Sequence, residues 1–239
     1  MRKTGMALTI ALAVGAGGAA GTASDAATGG YQAVYDVFLG GLRGGELRLE
    51  VDRDGDRYAA QGALRASGIA AWFLPGQAEA RAEGQARSTA YRPDRFEADA
   101  AFGRTRQFVA FDYEGPAVRM TAEPPLRERP YNADPARMGD ALDPLSAAVA
   151  VMAPTPVAEA CGRTIPVFDS RRRYDFVLGP AVSEGDGLRC EGRFRRVAGF
   201  KRIDPDNDFT VWWRVQDGMA VMERAQAATG FGYAVARLR

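Results

Sequence analysis

The chain has 239 residues, 26% of them charged, and a formal net charge of +1. This balance lacks the basic excess of nucleic-acid-binding proteins, so we expect no nucleic-acid partner. Histidine is absent, which removes the commonest general base, Ser-His catalysis and the usual zinc sites. We expect neither a metal nor another cofactor, and we expect the protein not to be an enzyme.

Residues 1–26 have the pattern of a secretory signal peptide. Arg2 and Lys3 precede a short apolar run from Met6 to Val14, and small residues follow. The run is too short to span a bilayer, which takes roughly 20 apolar residues, and no later segment reaches that length. No Cys follows the run, so a lipid anchor is not expected. The pattern predicts a periplasmic or secreted protein that does not span the membrane. We expect residues 31–239 to form one antiparallel β domain.

Three strands open this domain, each alternating apolar and polar residues. They cover Tyr31–Leu39, Leu47–Val51 and Tyr58–Leu64, with turn signals at Gly40-Gly41, Gly44-Gly45 and Asp54-Gly55. Consecutive strands joined by Gly-rich turns predict an antiparallel meander. The apolar stretch Trp72-Phe73-Leu74 then interrupts the alternation. These large apolar side chains are the candidates to line a cavity or its mouth, while core packing is the default interpretation.

Four more strands precede a proline-rich loop. They are Gln77–Arg87, Arg95–Phe102, Arg106–Tyr113 and Ala117–Ala122. The first carries Ala and Gly where large residues usually fill a core. Such a strand leaves room, either for a closely packed helix or for a ligand.

One main helix is predicted, from Asp143 to Met152. Asp143 can cap its first turn, Pro144 has a φ suited to the first helical position, and Pro154 ends it. A lone apolar helix between two blocks of strands has to pack on the sheet that they form. We expect Val149 and Met152 to line the space between them, where the helix is either a lid over a ligand or part of a filled core.

Five strands follow the helix. They cover Thr164–Val177, Leu188–Val197, Phe209–Val215, Met219–Gln226 and Gly232–Leu238. Trp213 shares a face with Phe209 and Val211, so it is expected either in the core or in a cavity lining. A continuous strand Thr164–Val177 puts Arg172 on the same face as Tyr174.

Arg172 belongs to a group of arginines with two interpretations. The group comprises Arg171, Arg172, Arg173, Arg193, Arg195 and Arg196. These side chains suit lipid phosphate through bidentate contacts, or they form a cross-strand ladder with Asp169, Asp175 and Glu191. An arginine on an apolar face, as predicted for Arg172, needs a carboxylate partner or a ligand anion.

The two cysteines, Cys161 and Cys190, are expected to form a structural disulfide, because disulfides persist in exported proteins. Closing a loop of about 30 residues contributes roughly 3 kcal/mol. A buried thiol pair and a redox site are the alternatives, although C-x-x-C spacing is absent.

Three further groups invite a chemical interpretation. Two aspartate triplets, residues 52, 54 and 56 and residues 204, 206 and 208, have calcium-like spacing, but solvated turns explain them better. Ser146 lacks a histidine to activate it, so local hydrogen bonding is expected. An enzyme would need a carboxylate pair such as Glu79 and Glu83, which has no supporting context.

Several motifs, in their order, resemble a known family. They are Tyr35-Asp36-Val37 with its Gly-rich turn, Asp143-Pro144-Leu145-Ser146, Val167-Phe168-Asp169 before the arginine run, and Trp212-Trp213 followed by Asp217-Gly218. From about Tyr31 to Leu238 the chain resembles the domain of unknown function 3108 family of exported bacterial proteins. One departure is Phe168-Asp169-Ser170, where the family usually has Phe-Asp-Gly.

The resemblance implies a mainly β fold: a curved antiparallel sheet forming an incomplete barrel, with the main helix covering its concave face. That fold is similar to the lipoprotein carriers and receptors of the Lol system, which hold acyl chains in such a cavity. The leading hypothesis is therefore a non-enzymatic protein of the bacterial cell envelope that binds or carries an apolar ligand, a lipid or acyl chain. The alternative is an envelope structural or interaction protein with a filled core, which binds a protein partner through a sheet edge or Trp72–Leu74.

Overall fold

The computed structural model describes residues 29–67, 71, 75–201, 207–230 and 232–239. The predicted signal peptide and the stretch Trp72-Phe73-Leu74 lie outside this part of the chain. Among the described residues, no helix combines the length and the apolar character needed to cross a membrane.

The described part consists mainly of strands, as predicted. These are β1 (Gly29–Leu39), β2 (Leu42–Asp54), β3 (Arg57–Ala66), β4 (Gly76–Arg87), β5 (Ala90–Phe102), β6 (Thr105–Glu114), β7 (Ala117–Glu123), β8 (Thr155–Pro156), β9 (Thr164–Phe168), β10 (Arg173–Glu184), β11 (Gly187–Ala198), β12 (Asn207–Gln216), β13 (Met219–Thr229) and β14 (Gly232–Leu238). The α-helix is α1 (Pro144–Met152), and short 3₁₀ turns occupy Pro135–Arg137 and Val157–Glu159.

All strands belong to one antiparallel sheet. Its order is β7-β6-β5-β4-β3-β2-β1-β14-β13-β12-β11-β10-β9, and the short β8 pairs with β13 off this path. The predicted meander of β1 to β3 is confirmed. The last strand pairs with the first at the middle of the sheet, where Ala236 lies opposite Val37. In the described residues the end strands β7 and β9 do not pair, so the curved sheet is an incomplete barrel.

The chain segment before α1 spans the gap between the two end strands. Gly139 N–H donates to Pro116 O beside β7, at 2.9 Å. Leu142 N–H donates to Pro166 O on β9, and Leu142 O accepts from Phe168 N–H, both at 2.8 Å. Phe111 of β6 stacks on Phe168 of β9, with ring centroids 5.3 Å apart. The segment therefore satisfies backbone groups that the open barrel would otherwise leave exposed.

Alternate residues of each strand face the interior, where helix α1 lies. The core on this face includes Tyr35, Leu49 and Phe111, which are at most 2% exposed. The helix contacts β3, β4 and β5 on one side and β9 and β13 on the other. It therefore covers the concave face of the sheet, as expected.

The predicted continuous strand Thr164–Val177 is wrong, because the chain reverses direction within it. Strands β9 and β10 form a hairpin in which Phe168 pairs with Arg173. Asp169 Oδ1 accepts the backbone N–H groups of Arg171 and Arg172 at 3.1 and 2.8 Å, and Ser170 has φ +82°. An aspartate side chain that binds the following backbone is a turn-forming device. Arg172 is thus an exposed turn residue rather than a strand residue.

A second correction concerns the first turn. Gly44-Gly45 does not interrupt the strand, because β2 begins at Leu42 and contains both glycines. The chain reverses at Gly40-Gly41, both with positive φ. A Cβ at Gly45 would lie 2.5 Å from Arg65 O, so this glycine serves close strand packing.

Candidate functional site

The part of the interior face beneath helix α1 is filled by packed side chains. Val149 is fully buried, and Met152 and Trp213 are 6% and 2% exposed. Leu145 packs on Gly62 of β3, where an added Cβ would come within 2.8 Å of Leu145 Cδ1. Small residues on the sheet therefore make room for the helix here. Val149, Met152 and Trp213 are core residues in the structure, and contact between them and a ligand stays a prediction.

A buried polar network fixes the start of the helix. Asp143 Oδ1 accepts the N–H groups of Leu145 and Ser146 at 2.9 and 2.8 Å, and Oδ2 accepts the Ser146 hydroxyl. The hydroxyls of Ser146 and Tyr58 lie 2.6 Å apart. Burial raises the pKa of Asp143 to about 6, although these hydrogen bonds act in the opposite direction. Asp143 and Ser146 are fully buried, so this network anchors the helix and offers no accessible nucleophile.

The other end of the helix is also held by side chains. Arg163 Nη2 donates to Ala150 O at 2.6 Å, which satisfies a carbonyl of the last helical turn. The predicted disulfide is confirmed: Cys161 and Cys190 are bonded, with Cα atoms 5.9 Å apart. Cys190 is fully buried on β11. The bond therefore ties the segment after the helix to the second half of the sheet.

Part of the interior face lies beyond the helix and carries aromatic side chains that are partly exposed. This aromatic ladder comprises Tyr174, Phe176, Phe194, Phe200 and Phe209. The ring of Phe176 lies 5.5 Å from that of Phe209 and 5.9 Å from that of Phe194. Phe194 in turn lies 4.5 Å from Tyr174 and 5.9 Å from Phe200. The result is a continuous apolar surface that the helix leaves uncovered.

Small residues continue this open surface around the barrel. On the register of the strands, the interior positions next to the ladder are alanines, all partly exposed. They are Ala225 and Ala227 on β13 and Ala234 and Ala236 on β14. Ala227 pairs directly with Phe209 across the two strands. We call these four residues the alanine wall.

One end of the aromatic ladder meets arginine side chains. The Cζ atom of Arg172 lies 5.5 Å from the centroid of the Phe200 ring, and that of Arg196 lies 5.0 Å from it. The prediction placed Arg172 on the apolar face of a continuous strand Thr164–Val177, but the structure has a hairpin there. The Arg172 side chain nevertheless reaches the aromatic ladder from the turn of that hairpin. The structure therefore brings Arg172 to the open surface but keeps it apart from Val149, Met152 and Trp213, which are in the core.

The predicted cross-strand arginine ladder forms in part. Asp175 forms ion pairs with Arg195, at 2.6 Å, and with Arg173, at 3.4 Å. Arg193 pairs with Asp208 at 3.6 Å. These partners lie on the outer face of β10 to β12, opposite to the aromatic ladder.

The outer face of the first half of the sheet forms an open groove of about 960 Å³. Its lining combines charged side chains, among them Arg48, Glu50, Arg81 and Glu97, with apolar residues such as Phe108. A smaller groove of about 610 Å³ lies over β10 to β12. Neither of these two grooves lies between the helix and the sheet.

The other chemical candidates occupy exposed positions. Among the described residues, no cluster of Cys, Asp and Glu side chains has the geometry to hold a metal ion. Asp56 pairs with Arg87 at the β2–β3 turn, at 2.9 Å. Residues 204 and 206 lie outside the described part. Glu79 and Glu83 are exposed on the outer face of β4, and four residues along a strand separate them by roughly 13 Å, so they do not form a catalytic pair.

Sequence reasoning missed Phe194 and Phe200 as candidate binding residues. Phe194 alternates with charged residues on β11, which is a strand signal but does not say which rings it meets. Its neighbours come from β10, β12 and the segment after β11. The ladder depends on strand pairing that a single sequence does not reveal.

Comparison with known proteins places the chain in a family. No curated protein matches the sequence. A solved structure, the beta-barrel-like protein of domain of unknown function DUF1849 from Brucella abortus, is similar to 87% of this chain over 95% of its own, with 11% sequence identity and a TM-score of 0.48. The family described as Protein of unknown function (DUF3108) matches residues 34–239. The chain therefore belongs to the DUF3108 family, which the sequence motifs had predicted.

Proposed function

We propose that this protein is a non-enzymatic carrier of the bacterial envelope, which binds a lipid or acyl chain on the open part of its interior face. One observation supports this above all: the rings of the aromatic ladder face the barrel interior, contact one another at the border of the core and remain partly exposed. Ligand sites are concave and mostly apolar, with a few polar groups.

Energetics favour an apolar occupant of this surface. Each methylene of an acyl chain transferred from water to an apolar site contributes about 0.8 kcal/mol. The alanine wall beside the ladder provides space, because Ala side chains stop at Cβ. A chain lying over Phe209 and its neighbour Ala227 would cover apolar atoms of both the protein and the ligand.

The proposed location is the periplasm or the exterior of the cell, after removal of residues 1–26. The disulfide between Cys161 and Cys190 is compatible with it, since disulfides persist in oxidising compartments. Residues 31–239 are proposed to form a single domain that is exported as a unit.

A pair of variants on one strand tests the proposal. Ala227→Phe fills the open interior, whereas Ala228→Phe places the same ring on the exposed outer face of β13. Titration with a fluorescent fatty acid should show binding to the wild type and to A228F, and at least roughly tenfold weaker binding to A227F, about 1.4 kcal/mol. Native mass spectrometry after gentle purification, with lipid extraction, should detect a co-purifying ligand. If the protein carries no ligand and binds no acyl probe, the proposal is wrong.

The alternative function is an envelope interaction protein, and the outer groove of about 960 Å³ favours it. A groove that combines both signs of charge with apolar residues suits a protein surface better than an acyl chain. Under this alternative, Arg81→Glu in the groove weakens capture of an envelope protein, while A227F leaves capture unchanged. Dependence of capture on Trp72 and Phe73 would point instead to that stretch.

A further inference from the structure

The arginine end of the aromatic ladder adds a chemical requirement to the ligand. On the basis of the proposed function, we infer that the ligand is an anionic amphiphile, whose carboxylate or phosphate head binds Arg172 with its neighbour Arg171. The apolar chain then runs along the ladder from Phe200 toward Phe209. Both parts follow from contacts at the turn between β9 and β10.

The turn places the Arg172 side chain beside the apolar surface. Arg172 Cζ lies 5.5 Å from the Phe200 ring, and Phe200 is 5.9 Å from Phe194 in the ladder. Gly199 makes this approach feasible: it has φ +84°, and a Cβ there would lie 2.2 Å from Arg171 O. The end of β11 thus packs directly against the turn. The arginine matches the charged head of an amphiphile, and the aromatic rings match its apolar chain.

Two carboxylates lie near these arginines, and the charges of Arg172 and Arg171 act on one of them, Asp169. Asp169 uses Oδ1 to accept the backbone N–H groups of Arg171 and Arg172. Asp175 pairs with Arg173 and Arg195 on the outer face. Within the described part of the chain, no carboxylate lies within 4.0 Å of the guanidinium group of Arg171 or Arg172. These two cations therefore retain the capacity to bind an anion.

Arg171 adds an independent sign of a missing acceptor. Its Nε is buried and has no hydrogen-bond partner among the described residues. A buried donor without an acceptor is unfavourable, which is why such donors usually face a partner or a ligand. The guanidinium of Arg196 also lies over the rings of Phe194 and Phe200. The inference, however, rests on Arg172 and Arg171.

Paired probes with the same chain test the head group. Dodecanoate and dodecyl phosphate carry a charge, and dodecanol does not. We expect the wild type to bind both anions roughly ten- to a hundredfold more tightly than dodecanol, as charge-assisted hydrogen bonds do. Arg172→Gln should abolish most of that preference, Arg172→Lys should retain part of it, and Arg193→Gln on the outer face should leave it unchanged. The ratio between the two anions shows which head group is preferred.

The outcomes separate this inference from the proposed function. Equal binding of dodecanoate and dodecanol to the wild type, unchanged in R172Q, would overturn the head-group inference while leaving apolar binding intact. Absence of binding by all three probes would overturn the proposed function. Inorganic phosphate or acetate should not bind measurably at the probe concentrations, and tight binding of either alone would contradict the requirement for an amphiphile.

Discussion

Replacing Asp143 with Asn should change how the stability of the protein depends on pH. The carboxyl of Asp143 is fully buried, and burial raises its pKa from 3.8 to about 6. In the unfolded chain the same group has its ordinary pKa, so the unfolded state releases the proton first as the pH rises. The contribution of Asp143 to stability is therefore complete below pH 3.8 and is lost as the pH rises through about 6.

The size of the effect follows from the two pKa values. The rise from 3.8 to about 6 corresponds to about 3 kcal/mol. Asn caps helices as well as Asp does, and its amide does not ionise. Its oxygen can accept the N–H groups of Leu145 and Ser146, while its NH₂ group donates to the Ser146 hydroxyl. We expect the stability of D143N, relative to the wild type, to increase by about 3 kcal/mol between pH 3.5 and pH 7.5.

Urea unfolding at a series of pH values measures this difference. Tryptophan fluorescence can follow it, because Trp213 is only 2% exposed in the folded state. The control is Asp112→Asn, which removes an exposed carboxylate on β6 without touching the buried network, and the pH dependence of D143N is compared with that of this variant. If the stabilities of D143N and the wild type run parallel across the whole pH range, then burial does not control the ionisation of Asp143.

Two further predictions concern packing and the covalent link. Gly62→Ala should destabilise the protein by about 1–3 kcal/mol, because the added Cβ overpacks against Leu145. Gly29→Ala is the control and should not destabilise it, since a Cβ at Gly29 would have no atom within 4 Å. Thermal unfolding of both variants measures the difference. Replacing both cysteines (C161S/C190A) should lower the free energy of unfolding by about 3 kcal/mol, because the bond spans 29 residues of sequence. A variant as stable as the oxidised wild type would contradict the role assigned to the disulfide.

Local signals explain why the helix was predicted well. Asp143 and Pro144 determine the start of α1 through a side-chain cap and a fixed φ, and both act within three residues. The alternation of the strands is equally local, so the last strand was predicted with its observed bounds, Gly232–Leu238. Such features need no knowledge of the rest of the fold.

The hairpin between β9 and β10 was missed for a physical reason. Its reversal uses the Asp169 side chain and a serine at positive φ, whereas hairpin turns are usually recognised by Gly or Asn at such positions. The family usually has Phe-Asp-Gly here, and its glycine is the residue expected in such a turn. The family resemblance therefore indicated a turn at Asp169, whereas the alternation of residues in Thr164–Val177 indicated a continuous strand.

The candidate site was only partly predictable, because it depends on contacts between distant strands. Arg172 was singled out, but its position beside Phe200 results from a tight approach at Gly199 rather than from strand alternation. The small residues of β4 were expected to leave room for either a helix or a ligand. In the structure the helix takes up part of this room by packing on Gly62 of β3, and Ala78 and Ala80 of β4 are partly exposed.

The central claim is that an acyl chain binds on the interior face of the sheet, over the aromatic ladder and the alanine wall beside it. NMR of protein labelled with ¹³C at alanine methyl groups tests it directly, because alanines occur on both faces of the sheet. On titration with dodecanoate, the methyl signals of Ala225, Ala227 and Ala236 should shift together and saturate, while those of Ala59 and Ala228 on the outer face should not move. Shifts confined to outer alanines, or no shifts at any concentration, would contradict the claim.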